Sequence, residues 1–152
     1  MYRTVMWASD GSPGADEALV AARGLASADD ARLIAMHCDQ RIYMRGNWPY
    51  LPDEDDRLGQ IEAQVASLQG DGIDAELVVR HTSRDAAEVA AEVAAEHGVD
   101  VIVCGTRGLG SLSGAVLGSF TQRLLHVAPC PVLVVPRRQA VAAKAPETAA
   151  SR

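Results

Sequence analysis

The sequence predicts an α/β protein: a single domain built on an open, mainly parallel five-stranded sheet with helices on both faces. Three observations carry this. Short apolar runs alternate strictly with longer stretches of helical periodicity along the 152 residues. Aromatic residues make up only 4% of the chain against 48% hydrophobic residues, so the core falls to Val, Leu, Ile and Ala, which suits helices packed on a sheet. Finally, Val101 to Val135 has the wiring strand, glycine loop, helix, strand, with five glycines between Gly105 and Gly118.

Taken in order, Thr4–Ala8 (TVMWA) is a short buried strand closed by the turn cluster Ser9-Asp10-Gly11. Ser12 is placed to N-cap the first helix, with Pro13 at its first position and Asp16 and Glu17 in the first turn. Ala18, Leu19, Ala22, Leu25 and Ala26 give that helix one apolar face, which fades before Asp29-Asp30. Arg32–Cys38 is the second strand. A long connection, Asp39 to Pro52, carries Trp48, Pro49 and Tyr50, aromatics suited either to covering a ligand or to packing against their own loop or a neighbouring subunit.

The acidic run Asp53 to Asp56 opens the second helix, where carboxylates favour the N-terminal dipole. A solvated helix start accounts for it better than a metal site. Leu58, Ile61, Val65 and Leu68 form the helix stripe, and Gly70 and Gly72 end it. Ile73–Arg80 alternates apolar and polar residues, as an edge strand with one wetter face does. Ser83 is the expected cap of the third helix, Ala86, Val89, Ala90, Val93 and Ala94 its buried side, and Gly98 its stop. The fourth strand (Val101–Cys104), the glycine loop, a helix from Ser119 to about Val127 and a fifth strand (Val132–Val135) complete a domain spanning 1–136. The remainder, 137–152, lacks periodicity and is expected to be a disordered tail.

Composition removes several function classes. A net charge of −6 argues against general nucleic-acid binding, and no apolar run approaches a membrane span. No signal-peptide pattern precedes the first strand, so the expected compartment is the cytoplasm. Cys38, Cys104 and Cys130 are odd in number and widely spaced, which suits buried reduced thiols rather than zinc ligands or a disulfide framework. Of the histidines, His37 lies within a strand and reads as a hydrogen-bonded core residue. His97 and His126 sit near helix ends, where a cation meets the dipole. With His81 they form no evident triad with a Ser or Cys nucleophile.

In a doubly wound sheet, ligands gather outside the carboxyl ends of the strands. That selects Ala8 to Gly11, Cys38 and Asp39, and Cys104 to Gly108. Glycines there admit positive φ and let an anion approach the main chain, and the free N–H groups of a following helix add donors. Neither GxxxxGK[ST] nor GxGxxG is present. The actual spacing is Gly105, two residues, Gly108, nine residues, then Gly118-Ser119.

That G-x2-G-x9-G-S pattern after the fourth strand resembles the ATP-binding signature of the universal stress protein family. The opening strand with Asp10-Gly11-Ser12, the segment SRDAAEVAAEVAAEHGVDVIVCGTRG and the closing PCPVLVVP agree with it, so the resemblance spans about Tyr2 to Pro136. It implies strand order 3-2-1-4-5 and a homodimer pairing through Val132, Leu133, Val134 and Val135. An edge shielded by the tail is the alternative. It also implies an ATP site. In it, Ala8 lies beside the base or ribose, and Asp10 reaches the ribose or phosphates, directly or through Mg2+. Cys38 offers its backbone to the adenine edge, and Cys104 and Gly105 flank the ribose. Thr106, Arg107 and Gly108, with Gly118, Ser119 and Phe120, wrap the triphosphate. Ala8 stands where some relatives have proline.

Residue chemistry leaves two choices open: Asp10 as ligand or as cap of the first helix, and Arg107 as γ-phosphate partner or as a solvated surface arginine. Nothing in the sequence supplies a general base for attack on the γ-phosphate. The expectation is therefore a cytoplasmic ATP-binding regulator of a stress response, with at most slow hydrolysis. A true ATPase or phosphotransferase and a nucleotide-independent scaffold with an unidentified protein partner are the alternatives.

Overall fold

The computed structural model describes residues 1–39, 52–108 and 117–138. Trp48, Pro49, Tyr50, Gly110, Gly114 and the tail beyond residue 138 lie outside the described residues. The elements run β1 (Thr4–Ala8), α1 (Pro13–Asp29), β2 (Arg32–Asp39), α2 (Pro52–Gly70), β3 (Ala75–His81), α3 (Ala86–Glu96), β4 (Val101–Gly105), α4 (Ser119–Val127) and β5 (Val132–Val135). All four strand pairings are parallel, in the order β3-β2-β1-β4-β5. Fold class and strand order are those the sequence and its resemblance imply.

Strand alternation divides the core in two. Val5, Trp7, Leu33, Ala35, Val101 and Val103 face α1 and α2. Met6, Ala8, Ile34, Met36, Ile102 and Cys104 face α3 and α4. The buried side of α1 is built only from Gly14, Ala15, Ala18, Ala22 and Ala26, so its axis can lie close to β1 and β4. Trp7 fills the space left under its first turn, and its indole N–H donates to the Ala15 carbonyl at 2.8 Å. Ser12 caps α1 as expected, accepting from Ala15 N–H at 3.3 Å.

Several boundaries differ from the sequence expectation. β2 ends one residue later than expected, at Asp39, and α2 begins one residue earlier, at Pro52. β3 begins at Ala75 because Ile73 belongs to the end of α2: its N–H donates to the Leu68 carbonyl at 3.0 Å, across Gly72 at φ +84°. The cap of α3 is Asp85, which accepts from Ala87 and Glu88 N–H, while Thr82 Oγ1 takes the Arg84 N–H in the turn before it. β3 is half-buried along most of its length, as an edge strand should be. Among the described residues no helix is long and apolar enough to cross a membrane.

Ile102 is wholly buried at the centre of the sheet, against α3 and α4. Ile102→Ala is expected to lower unfolding free energy by about 2–5 kcal/mol through lost burial and a residual cavity, as measured by urea denaturation.

Candidate functional site

Three strand ends and three helix starts converge at the carboxyl edge of the sheet. β1 delivers Ala8, Ser9 and Asp10, β2 Met36 and Cys38, and β4 Cys104 and Gly105, followed by Arg107 and Gly108. Ala15 of α1, Ala86 and Ala90 of α3, and Phe120 and Thr121 of α4 close the walls. The cleft holds a cavity of about 170 Å3 and opens to solvent at its mouth. Its β2–α3 end is lined by small apolar and thiol side chains, its opposite end by Asp10, Arg107 and the backbone of Gly108.

Eight of the eleven residues singled out from the sequence line this cleft: Ala8, Asp10, Cys38, Cys104, Gly105, Arg107, Gly108 and Phe120. Thr106, Gly118 and Ser119 do not. Thr106 N–H donates to the Val135 carbonyl at 3.1 Å, and Gly118 N–H donates to the Thr106 carbonyl at 2.8 Å. Both amides are thus engaged in holding the loop, whereas the sequence suggested that the Gly118 amide stands exposed. Gly118 is also the N-cap of α4, with φ −62° and only ordinary contacts around the place of a Cβ. Ser119, exposed at the first position of α4, and Phe120 precede the first intrahelical bond, from Gln122 N–H to Gly118 O at 2.9 Å. Their amides are therefore among the donors that a helix start leaves without an intrahelical partner.

Asp10 lines the cleft and braces the turn before α1, whose cap is Ser12. One carboxylate oxygen accepts the Ser12 N–H at 3.0 Å, fixing the turn, while a Cβ on Gly108 would collide with the other oxygen. The carboxylate therefore lies directly against the loop backbone. The other decisive glycines are Gly105 and Gly14. A Cβ at Gly105 would lie 2.7 Å from the Gly14 carbonyl oxygen, and one at Gly14 would lie 2.6 Å from the Arg107 carbonyl oxygen. Two glycines thus permit the first turn of α1 to touch the exit of β4.

The thiols are unreactive in this setting. Burial pushes Cys38 up to about 11 and Cys104 up to about 11, so both stay protonated at neutral pH. Cys38 Sγ donates to the Ala86 carbonyl at 3.7 Å, tying β2 to the start of α3. β1 separates the two cysteines, both of which are free. Among the described residues no group of three or more His, Cys, Asp or Glu is arranged to hold a metal ion.

Sequence reasoning missed several lining residues. Met36 was accessible to it, since strand alternation puts Met36 on the same face as Cys38. Ala86 and Ala90 are one helical turn apart on the α3 face already assigned to the core. Thr121 gave little signal. It is 2% exposed, and its hydroxyl donates to the Gly105 carbonyl at 2.9 Å, pinning α4 to the end of β4.

Fold and cleft together can be set beside known proteins. A profile described as Universal stress protein family matches residues 1–136. The chain belongs to the universal stress protein family. A relative in Thermus aquaticus, described as a universal stress protein in the QAH/OAS sulfhydrylase 3' region, is 32% identical over 139 residues, covering 89% of this chain and 99% of its own. Among solved structures, hypothetical protein MJ0577 superposes with a TM-score of 0.76 at 22% identity, covering 92% of this chain and 99% of its own. A universal stress protein in complex with cAMP superposes with a TM-score of 0.64 at 25% identity, covering 90% and 98%.

The Gly14–Gly105 contact is directly testable. Gly105→Ala is expected to lower stability by about 1–3 kcal/mol, because the methyl meets backbone on both sides. Gly24→Ala, with no atom within 4 Å of the new Cβ, should instead raise it by up to about 1 kcal/mol. Urea midpoints of the two variants check both signs.

Proposed function

We propose that this universal stress protein binds ATP in the carboxyl-edge cleft and acts as a nucleotide-responsive regulator rather than a turnover enzyme. The observation that carries the proposal is the polarity of the cleft, small and apolar at one end, with backbone and charged groups at the other. Adenine suits the end formed by Met36, Cys38, Ala86 and Ala90, with the Cys38 backbone at its edge. The ribose lies by Ala8, Cys104 and Gly105. The phosphates run toward Asp10, Arg107 and Gly108 and on to the α4 start at Ser119 and Phe120. Thr106 and Gly118 serve this site by shaping the loop. Helix-start amides and an arginine together favour a polyanion. The relative in complex with cAMP supports an adenine nucleotide in a fold of this kind.

Mg2+ fits the donor set, because it binds through one or two carboxylates plus substrate phosphates and keeps several waters. Asp10, the carboxylate of the described lining, would hold it. When bound, Mg2+ would neutralise phosphate charge next to the Asp10 oxygens.

The expected result in calorimetry with Mg2+ present is saturable ATP binding. With a dissociation constant of about 10 μM, ATP at about 1 mM raises unfolding free energy by about 2.7 kcal/mol. Gly108→Ala, which displaces the Asp10 carboxylate, should lose about 1.5–3 kcal/mol of binding. No heat and no thermal shift at millimolar ATP would sink the reading.

We also propose that the working unit is a homodimer paired along β5. This strand ends the sheet order, and Leu133 is 40% exposed on it. The carbonyls of Pro131 and Val135 bond inward, to Ile102 and Thr106, so strand alternation turns the Val132 and Val134 backbone groups to the open edge. Val134→Pro, which removes one outward donor, should convert a dimer into a folded monomer in sedimentation equilibrium. A wild-type monomer at every concentration would rule the pairing out.

A further inference from the structure

On the face of β2 opposite the cleft lies a buried polar cluster that the proposed ligand does not touch. His37 is 2% exposed. Its Nδ1 stands 2.9 Å from the Ser9 carbonyl oxygen and its Nε2 2.6 Å from Glu54 Oε1. Glu54 Oε2 accepts from Arg57 Nε at 3.3 Å and Nη2 at 3.0 Å. The Arg57 stem then lies over Gly11, where a Cβ would be 2.9 Å from both Arg57 Cβ and Cγ. Gly11 holds φ +75°, so both its conformation and its neighbour require glycine.

Ser9 and Gly11 are the two neighbours of Asp10. The cluster therefore grips the turn on either side of the cleft's carboxylate: His37 by the Ser9 carbonyl and Arg57 by the Gly11 backbone, with Glu54 joining the two. The chemistry makes this grip directional. A carbonyl oxygen only accepts, so His37 Nδ1 carries a proton. A 2.6 Å contact between Nε2 and a carboxylate oxygen needs a second proton between them. Burial disfavours charge on Glu54, yet the hydrogen bonds from His37 and Arg57 hold its carboxyl below the ordinary range. Charged groups paired in this way lose heavily when one partner is removed.

We propose that His37, Glu54 and Arg57 are positioning residues for the phosphate end of the cleft. They set the Ser9–Gly11 turn from behind and so fix where the Asp10 carboxylate stands against Gly108. The cluster also joins the first turns of α2 to that turn, so that the docking of α2 and the occupancy of the cleft are energetically coupled. This rests on the nucleotide reading above, since it assigns the cluster a role toward the same ligand.

The test is a double-mutant cycle on the full chain, with ATP and Mg2+ as the titrated pair. Wild type, Glu54→Gln, Asp10→Ala and the double variant are compared by calorimetry. Amide exchange at Ser12 and Gly108 is followed in the ligand-free proteins. Glu54→Gln keeps side-chain volume and is expected to weaken ATP on the order of tenfold. In the Asp10→Ala background the same change should move affinity by less than about twofold. Ser12 exchange should speed up in Glu54→Gln even without ligand. An equal loss in both backgrounds, or a lower melting temperature with unchanged affinity, would overturn the proposal and leave the cluster a purely structural one. Should wild type take up no ATP, the nucleotide reading falls by itself, and unchanged Ser12 exchange in Glu54→Gln then overturns the grip as well.

Discussion

Beside the cleft, the first turn of α1 meets the end of β4 backbone against backbone. Gly14 and Gly105 each lack the atom that would keep the two segments apart, and each faces a main-chain carbonyl that would otherwise be struck. The alanine face of α1 continues this proximity along β1 and β4. Were α1 held one side-chain layer further out, Asp10 would no longer lie against Gly108. The cleft would then be a shallow groove instead of a pocket with a charged end. Small residues are therefore the architectural requirement here, and the low aromatic content of the chain is consistent with it.

Much of the fold could be read directly from residue types. The apolar runs at Thr4, Arg32, Val101 and Val132 gave strands because each run is too short for a helix and is bounded by turn residues. The errors have local causes. Ile73 looked like the first strand residue, but a glycine-terminated helix recruits the apolar residue just beyond it. Ser83 and Asp85 are both good caps, and what separates them is where the Thr82 hydroxyl is used, which spacing does not reveal. At the site, glycine spacing located the loop but could not say which amides are consumed. The Thr106 amide is taken by the carbonyl of Val135, far along the chain from the loop, and only the β4–β5 pairing puts that carbonyl within reach. The polar cluster behind the turn was visible only as a strand histidine, since nothing in the sequence links His37 to Glu54 across residues 40–51.

The charge distribution separates binding from chemistry. The thiols that line the cleft are kept neutral by burial, and a buried acid–base contact, His37 with Glu54, lies on the face of β2 opposite the cleft. Groups able to hold a ligand line the cleft, whereas the group best arranged to share a proton is turned away from it. That separation supports the proposed reading of a binder over that of a turnover enzyme.

The bond from Gly118 N–H to the Thr106 carbonyl has an implication for how such proteins diverge. It brings the chain back beside the point it left, whatever number of residues intervenes, and α4 is seated by that bond and by the Thr121 hydroxyl on Gly105. Because closing a longer excursion adds only slowly to the entropy lost, insertions or deletions between those two anchors leave the helix origin in register with the sheet. Lineages can thus change the length of that excursion without renegotiating the scaffold beneath.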